Sequence, residues 1–114
     1  MRVVHHAGDR KVLANEASRA ATTRQKLQGV MFKPELPPGY GLVFPFDAAK
    51  SRGVHMLFVR VPIDVVWTVD ETVQAVETLS PWTGYAKHSA DRIVELPAGA
   101  ASAVAPGDRI TVEP

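Results

Sequence analysis

The segment of residues 54–69 constrains the fold most strongly, because it is the longest apolar run in the chain. It is rich in β-branched and aromatic residues, which are enriched in strands. Pro62 interrupts the run, and proline cannot donate the backbone hydrogen bond that an interior strand needs. The sequence therefore predicts two core strands, at residues 54–60 and 63–69, with a sharp change of direction between them.

Shorter segments of the same kind lie on both sides of this run. Strands are predicted at residues 2–6, 11–14, 42–46, 72–79, 93–96 and 109–113, and residues 15–21 can hold a further short strand. Polar, glycine-containing or proline-containing segments predict connections at residues 7–10, 34–41, 47–53, 70–71, 81–88 and 105–108. Many short strands with few helical segments are typical of a β-barrel or sandwich.

One short helix is predicted before the long apolar run. Thr22 or Thr23 can cap its start, residues 24–28 are good helix formers, and Gly29 stands where a helix commonly ends. Such a glycine is expected to have a positive φ. Residues 30–32 are apolar and are expected to pass directly into the core.

A second helical segment is predicted at residues 97–104, which are rich in alanine and begin with a proline. The predicted fold is therefore mainly β: a small closed or nearly closed β-barrel or sandwich with one or two short helices. The length of 114 residues suits a single domain that spans residues 1–114.

Composition excludes several classes of function. The net charge is +1 and the thirteen Lys and Arg residues are scattered, so we expect no nucleic-acid partner. The chain has no cysteine, which excludes disulfides and thiolate metal sites. Neither a signal peptide nor a membrane-spanning run is evident. We expect a soluble, cytoplasmic protein without membrane association, metal or cofactor.

Four segments of the chain, taken in order, resemble one protein family. They are the helix and its exit at residues 23–33, Leu-Val-Phe-Pro-Phe at 42–46, His-Met at 55–56 with Pro-Ile-Asp at 62–64, and Val-Glu-Leu at 94–96 with Pro-Gly-Asp-Arg at 106–109. Together they resemble the domain of unknown function 192 family over residues 22–112. The resemblance implies a mostly β, barrel-like single domain, and it implies no established reaction, ligand or partner.

The third segment departs from the family pattern. Much of the family carries Lys-Asn after the methionine, whereas this chain has Leu57 and Phe58. Chemistry built on that lysine or asparagine is therefore not expected here. His55, Met56 and Asp64 are what remains of the signature.

Asp64 is a candidate site residue, because it is a carboxylate inside a predicted core strand. Strand alternation places it on the face opposite Ile63 and Val65, and a buried carboxylate must be paired or hydrogen-bonded. It can anchor the corner at Pro62 by accepting backbone hydrogen bonds. It can equally be a general base or a ligand contact, with a pKa raised by a dry pocket.

His55 is the candidate histidine, because it lies inside the long apolar run. It can be a half-buried histidine with one satisfied nitrogen, or a proton shuttle paired with Asp64. Such a pair lacks the nucleophile that acyl transfer needs. A metal site of His55, Asp64 and His88 matches no established spacing. His5 and His6 are strand neighbours that point to opposite faces, so they are unsuited to chelating one ion.

Trp82 and Tyr85 lie in the predicted loop at residues 81–88. Loop aromatics commonly contact ligands, whereas Trp82 can also plug one end of a barrel. We predict a binding or accessory module for a small molecule or a protein, with a modest pocket formed by His55, Asp64, Trp82 and Tyr85. The alternative hypotheses are a small hydrolase or isomerase that uses His55 and Asp64 for acid–base catalysis, and an interaction domain without a pocket.

Overall fold

The computed structural model describes residues 1–20 and 22–114, which form eight strands and one short helix. In chain order these are β1 (Arg2–Ala7), β2 (Asp9–Ala14), β3 (Glu16–Arg19), α1 (Thr23–Gln28), β4 (Tyr40–His55), β5 (Ile63–Val69), β6 (Thr72–Leu79), β7 (Tyr85–Pro97) and β8 (Arg109–Glu113). The strands predicted at 2–6, 11–14, 63–69, 72–79 and 109–113 are confirmed. A strand also lies within 15–21, of which Ala21 is outside the described residues.

The strands form one sheet in the order β2-β1-β8-β6-β5-β7-β4-β3. Neighbours are antiparallel except β3 and β4, which run parallel. In the described part of the chain the edge strands β2 and β3 are not paired with each other, so the sheet is not a closed barrel and the barrel or sandwich prediction is not confirmed. Only Asn15 separates these two strands, and so short a connection cannot form a hairpin that would seal the sheet.

The two faces of the central strands carry separate apolar clusters. In β5, Ile63, Val65 and Trp67 belong to one cluster and Val66 belongs to the other, so this strand is buried on both faces. The first core consists of Ala20, Val30, Leu42, Phe44, Val54, Met56, Val59, Ile63, Val65, Trp67, Ala75, Leu79, Ala86, Ala90 and Ile93. The second core consists of Val3, Leu13, Ala14, Ala17, Val43, Val66, Val73, Val94, Leu96, Ala101, Val104 and Ile110.

β4 and β7 continue beyond their pairing at residues 42–45 and 92–95 as a two-stranded ribbon. Residues 50–55 of β4 pair with residues 85–90 of β7, after a register shift that follows Pro45. The loop predicted at 47–53 is therefore wrong, and the loop predicted at 81–88 ends at Gly84. The sequence favours a connection there because residues 47–51 are small or polar and exposed. A ribbon with one face in solvent does not need the apolar pattern that marks a core strand.

The strand predicted at 54–60 ends at His55. The N–H of Val59 donates to the carbonyl of Met56 at 3.0 Å, which makes residues 56–59 a turn. Phe58 has a φ of 62° within this turn, and no strand can include that conformation. The change of direction predicted near Pro62 therefore occurs earlier, at a turn made of apolar residues that lack the usual turn signals.

The helix predicted at 97–104 is absent, and this segment is a series of turns. Three hydrogen bonds between residues three positions apart define it, from Ala100, Ser102 and Val104 to Pro97, Gly99 and Ala101 at 3.0–3.2 Å. The N–H groups of Gly99 and Ala101 instead donate to the carboxylate of Asp64. Gly99 has a φ of 92°, which is outside the helical region, and the N–H of Ala101 is taken by a side chain, so the alanine content does not produce a regular helix.

Helix α1 begins and ends as predicted. The side chain of Thr22 accepts from the backbone N–H of Gln25, and the side chain of Gln25 accepts in return from Thr22. Gly29 ends the helix with a φ of 50°, which confirms the positive value. Val30 is buried as expected, whereas Phe32 is 62% exposed, so the prediction that it enters the core is wrong. Among the described residues, no helix has the length and apolar character needed to cross a membrane.

Candidate functional site

Glu95 is a carboxyl group placed inside an apolar cluster. It lies on β7, paired with Leu42 of β4 on one side and with Val65 of β5 on the other. Directly paired residues project to the same face, so the side chain of Glu95 stands between two members of the first core. The residue is 6% exposed, and its Oε1 has no hydrogen-bond partner among the residues that the structure describes.

Burial in these surroundings changes the charge state of Glu95. An ionised carboxylate is poorly solvated among apolar side chains, and this desolvation raises the pKa of Glu95 from 4.5 to about 8. The carboxyl group is therefore mainly protonated at neutral pH. A protonated carboxyl both donates and accepts hydrogen bonds, whereas a carboxylate only accepts.

The side chain of Glu95 lines a cavity of about 310 Å³ between α1, the segment that follows it, β4 and the start of β5. Most of the wall is apolar, and Lys26, Gln28 and His55 are its other polar contributors. The cavity reaches the surface next to Gln28 and His55, which are exposed. Its apolar lining consists of Val30, Met31, Phe44, Phe46, Val54, Val59, Ile63 and Ile93, and the backbone of Gly53 completes it.

Two cations contact Phe46, which is one of the aromatic residues that line the cavity. The Nζ of Lys26 lies 4.6 Å from the centre of the Phe46 ring, and the guanidinium carbon of Arg52 lies 3.7 Å from the same ring. Both distances are within the range of cation–π contacts. Of these two cations Lys26 also lines the cavity, where the carboxyl group of Glu95 is uncharged.

Two residues adjoin Glu95 from outside the cavity lining. Burial, and secondarily the negative charge of Glu95, raise the pKa of Tyr40 to about 12, so its phenol keeps its proton at neutral pH. A Cβ atom added to Gly29 would lie 3.6 Å from both Oε1 of Glu95 and Cζ of Phe44. The end of α1 thus packs directly against the carboxyl group.

Asp64 does not take part in this cavity. Its side chain alternates with Ile63 and Val65 and therefore faces the second core. It accepts hydrogen bonds from Thr78 Oγ1 at 2.7 Å, and from the N–H groups of Gly99 at 3.0 Å and Ala101 at 2.9 Å. The carboxylate accepts backbone hydrogen bonds as anticipated, but from the 97–104 segment and not from the corner at Pro62.

His55 lies at the cavity, apart from Asp64. Its Nδ1 accepts a hydrogen bond from the N–H of Leu57 at 3.2 Å, which holds the imidazole against the turn that follows β4. Because Asp64 faces the second core, the predicted His55–Asp64 pair is not formed. Tyr85 is the direct cross-strand partner of His55, and its ring lies over Gly53. The structure therefore brings His55 and Tyr85 together beside the cavity.

Trp82 belongs to an exposed cluster instead of plugging the sheet. Its ring contacts Phe58 with centroids 5.5 Å apart, and Phe58 contacts Phe32 at 5.4 Å. We call Phe32, Phe58 and Trp82 the aromatic triplet; their exposed fractions are 62%, 46% and 50%. All three have φ between 62° and 66°, so each stands at a tight turn. Hydrogen bonds from Phe32 N to Phe58 O and from Trp82 N to Val59 O join these turns.

The contacts of the histidines do not match the hypothesis of a metal site. His88 pairs with Glu77 and packs against Trp67, with ring centroids 4.8 Å apart. His5 bonds to Asp108 at 2.8 Å, while His6 bonds to Thr111 at 2.9 Å. Within residues 1–20 and 22–114, no three His, Cys, Asp or Glu side chains are grouped so that they could hold a metal ion.

Glu95 is the site residue that sequence reasoning did not select. A signal was present, because it is the single carboxylate in the apolar segment 93–96 and shares a strand face with Ile93. Its surroundings depend on α1, β4 and β5, which are distant in sequence. No local pattern shows that these elements leave a cavity over it.

Comparisons with known proteins agree with this fold. A crystal structure of a "putative transcription regulator" from Sinorhizobium meliloti has a TM-score of 0.86 and 23% identity, covering 96% of this chain and 91% of that one. A protein of unknown function from Novosphingobium aromaticivorans has a TM-score of 0.84 and 21% identity, covering 97% and 84%. Identities this low show a shared fold only. No curated protein matches the sequence.

The family resemblance is confirmed. The model of the domain of unknown function 192 family, described as "Uncharacterized ACR", matches residues 3–112. Nothing in the family or in the two similar structures indicates an enzymatic activity. Because the match extends over nearly the whole sequence, the chain belongs to the domain of unknown function 192 family.

Proposed function

We propose that the protein is a small binding module and that the cavity around Glu95 is its ligand-binding site. The observation that carries this proposal is the unpartnered Oε1 of a buried carboxyl group that lines an apolar cavity. A buried polar atom without a partner costs about 1–3 kcal/mol. Such costs are commonly retained where a site needs them, and a ligand that bonds to Oε1 would offset this one.

The predicted site residues contribute unequally to this proposal. His55 lines the cavity near the surface and Tyr85 stands beside it, which supports a role for both at the entrance. Trp82 and Asp64 do not line the cavity. An acid–base enzyme that uses His55 with Asp64 lacks support, because the two side chains are on opposite faces of the sheet. We further propose a single soluble, cytoplasmic domain without a nucleic-acid partner, on the balanced charge of the chain.

Ligand occupancy can be tested by nuclear magnetic resonance of the labelled protein against a library of small fragments. Fragments that enter the cavity should shift the backbone amide signals of Val30, Val59 and Ile63, which line it. Affinities in the range of about 1 mM, near 4 kcal/mol of binding free energy, suffice for detection. Shifts confined to the aromatic triplet, or no shifts at all, would contradict the proposed site.

A matched pair of variants separates cavity binding from nonspecific binding. Val59→Phe adds bulk at a residue that lines the cavity and is expected to abolish the shifts, at a cost of about 1–3 kcal/mol in stability. Val12→Phe places the same side chain on β2, at one edge of the sheet, where the residue is exposed. Binding by this control should equal that of the parent. An equal loss of fragment binding in the two variants would show that the fragments do not bind in the cavity.

A further inference from the structure

We propose, building on the proposed function above, that the cavity takes a small uncharged ligand that presents a hydrogen-bond donor beside an acceptor, as a carboxamide or lactam does, on a compact apolar body. The juxtaposition that points to this class is an unpartnered carboxyl oxygen at an apolar wall, with the ammonium group of Lys26 lining the same cavity.

The hydrogen-bonding capacity of Glu95 determines the head group. Between Leu42 and Val65 the carboxyl group is kept in its uncharged form, so one oxygen carries a proton and the other offers only lone pairs. A carboxamide or lactam has an N–H next to a C=O. It can therefore donate to one carboxyl oxygen and accept from the other at the same time.

Charged head groups fit the cavity less well. A cationic ligand would share the cavity with Lys26, and it would require Glu95 to ionise among the apolar side chains of the first core. An anionic ligand would find its favourable partner in the ammonium group of Lys26, and its head group brings no hydrogen-bond donor for Oε1 of Glu95. Oε1 of Glu95 would then stay unpaired, and its desolvation cost would not be recovered.

The body of the ligand is determined by the cavity wall. A volume of about 310 Å³ lined by aliphatic and aromatic side chains accepts a single ring or a short branched chain. Removing such a group from water contributes roughly 25 cal/mol for each Å² of apolar surface. The apolar body therefore supplies affinity, while the contact with Glu95 selects the head group.

Three probes with one shared body test this selection directly. The compounds 2-phenylacetamide, phenethylamine and phenylacetate carry an uncharged, a cationic and an anionic head on the same ring. Their dissociation constants at pH 7 are measured by titration of the amide signals of Val30 and Val59. We expect the amide to bind at least about tenfold more tightly than either charged probe, because a mismatched polar head leaves buried groups unpaired.

The affinity for an uncharged amide and the affinity for a cationic amine are expected to change in opposite directions as pH rises. The affinity for 2-phenylacetamide should fall about tenfold between pH 7 and pH 9, as Glu95 loses the proton that the amide needs. Phenethylamine should instead gain affinity if the ionised carboxylate were the receptor. The other titratable or charged groups near this region are Lys26 of α1 and Tyr40, Arg52 and His55 of β4; β5 presents Ile63 and Val65, which do not titrate.

Glu95→Gln is the matched control for that titration. Glutamine keeps a donor beside an acceptor in nearly the same shape, but it does not titrate. The variant should bind 2-phenylacetamide with an affinity that changes less than twofold between pH 7 and pH 9. A fall in the variant as large as that in the parent would show that the proton of Glu95 is not what the amide needs, and would overturn the inferred contact. If the variant does not fold, the ranking of the three probes and the profile of the parent decide the question alone.

The inferred ligand class and the proposed function can fail separately. Tighter binding of phenethylamine or phenylacetate than of the amide would show that the ligand is not uncharged. An affinity of the parent for the amide that does not change with pH would show the same. Neither result would contradict binding in the cavity. If none of the three probes binds while the fragment library yields other ligands of the cavity, the inferred ligand class is again wrong and the proposed binding site is retained. If neither the probes nor the library shifts the cavity signals, both the class and the binding module are wrong.

Discussion

Replacing Asp64 tests whether its buried carboxylate holds the 97–104 segment in place. Asp64→Leu keeps an apolar side chain of similar size but removes the acceptor for the N–H groups of Gly99 and Ala101. Ala101 is buried, so its unpaired N–H costs about 1–3 kcal/mol, whereas Gly99 is exposed and can bond to water. We therefore expect a loss of about 1–3 kcal/mol in the free energy of unfolding.

Asp64→Asn should be milder. Its single amide oxygen can accept from both backbone N–H groups, and its amide nitrogen can donate to the hydroxyl of Thr78, which accepts as well as donates. What is lost is the additional strength of bonds to a charged acceptor, about 1 kcal/mol. The two variants thus predict a graded series in which the leucine variant is the less stable.

Urea denaturation at neutral pH measures this series. For a domain of this size, a loss of about 1–3 kcal/mol should lower the denaturation midpoint by roughly 0.5–1.5 M. Asp91→Leu is the matched control, because Asp91 accepts a hydrogen bond from the N–H of Asp70 at 3.0 Å in an exposed turn. Water can replace that acceptor, so the control should change stability by less than about 1 kcal/mol.

Two results would refute the anchoring role of Asp64. Stability of Asp64→Leu equal to the parent is expected for a carboxylate retained for catalysis or ligand binding, because removal of a desolvated charge then costs nothing in folding. Equal losses in Asp64→Leu and Asp91→Leu would show that burial of the donors is not the cause.

Other predictions concern Gly29, Glu95 and the net charge. Gly29→Val should lower the free energy of unfolding by about 1–2 kcal/mol, since a β-branched residue disfavours a positive φ, and an unchanged melting temperature would contradict this. Because burial raises the pKa of Glu95 from 4.5 to about 8, the folded protein holds a proton that the unfolded chain releases in this range. The free energy of unfolding should therefore fall as pH rises from 4.5 towards 8, by up to about 1.4 kcal/mol per pH unit. Urea denaturation should show a steeper fall in the parent than in Glu95→Gln, and equal slopes would exclude the buried acid. With a net charge of +1, the protein should not bind DNA or RNA in a gel-shift assay at physiological salt, and submicromolar binding would overturn this.

The apolar run was a good predictor of β5 and a poor one of the residues before it. β5 is buried on both faces, and five of its seven residues are apolar. Residues 56–59 are just as apolar, yet they form a turn whose outer side presents Phe58 to solvent. Hydropathy cannot separate these cases, because the left-handed conformation of Phe58 is held by contacts with distant turns.

The candidate site was only partly predictable, because it too depends on contacts between residues that are distant in sequence. Turn chemistry indicated that Asp64 accepts backbone hydrogen bonds, but it suggested donors near Pro62. The actual donors are 35 and 37 positions away, where no local rule applies. Glu95 was visible as a carboxylate in an apolar strand. Its cavity exists only where α1 and β4 fail to fill the space over β7, which depends on tertiary packing.

The position of β1 between β2 and β8 has a consequence for the synthesis of the chain. His5 on β1 bonds to Asp108, 103 positions later, and β8 follows Asp108 directly. The hairpin of β1 and β2 therefore leaves the ribosome long before its second neighbour exists. Until residues 109–113 emerge, Val3 and Val4, which are buried in the folded protein, lie on a strand with an unpaired edge. Such an edge can template pairing with other nascent chains, so β8 both completes the sheet and removes this route to aggregation.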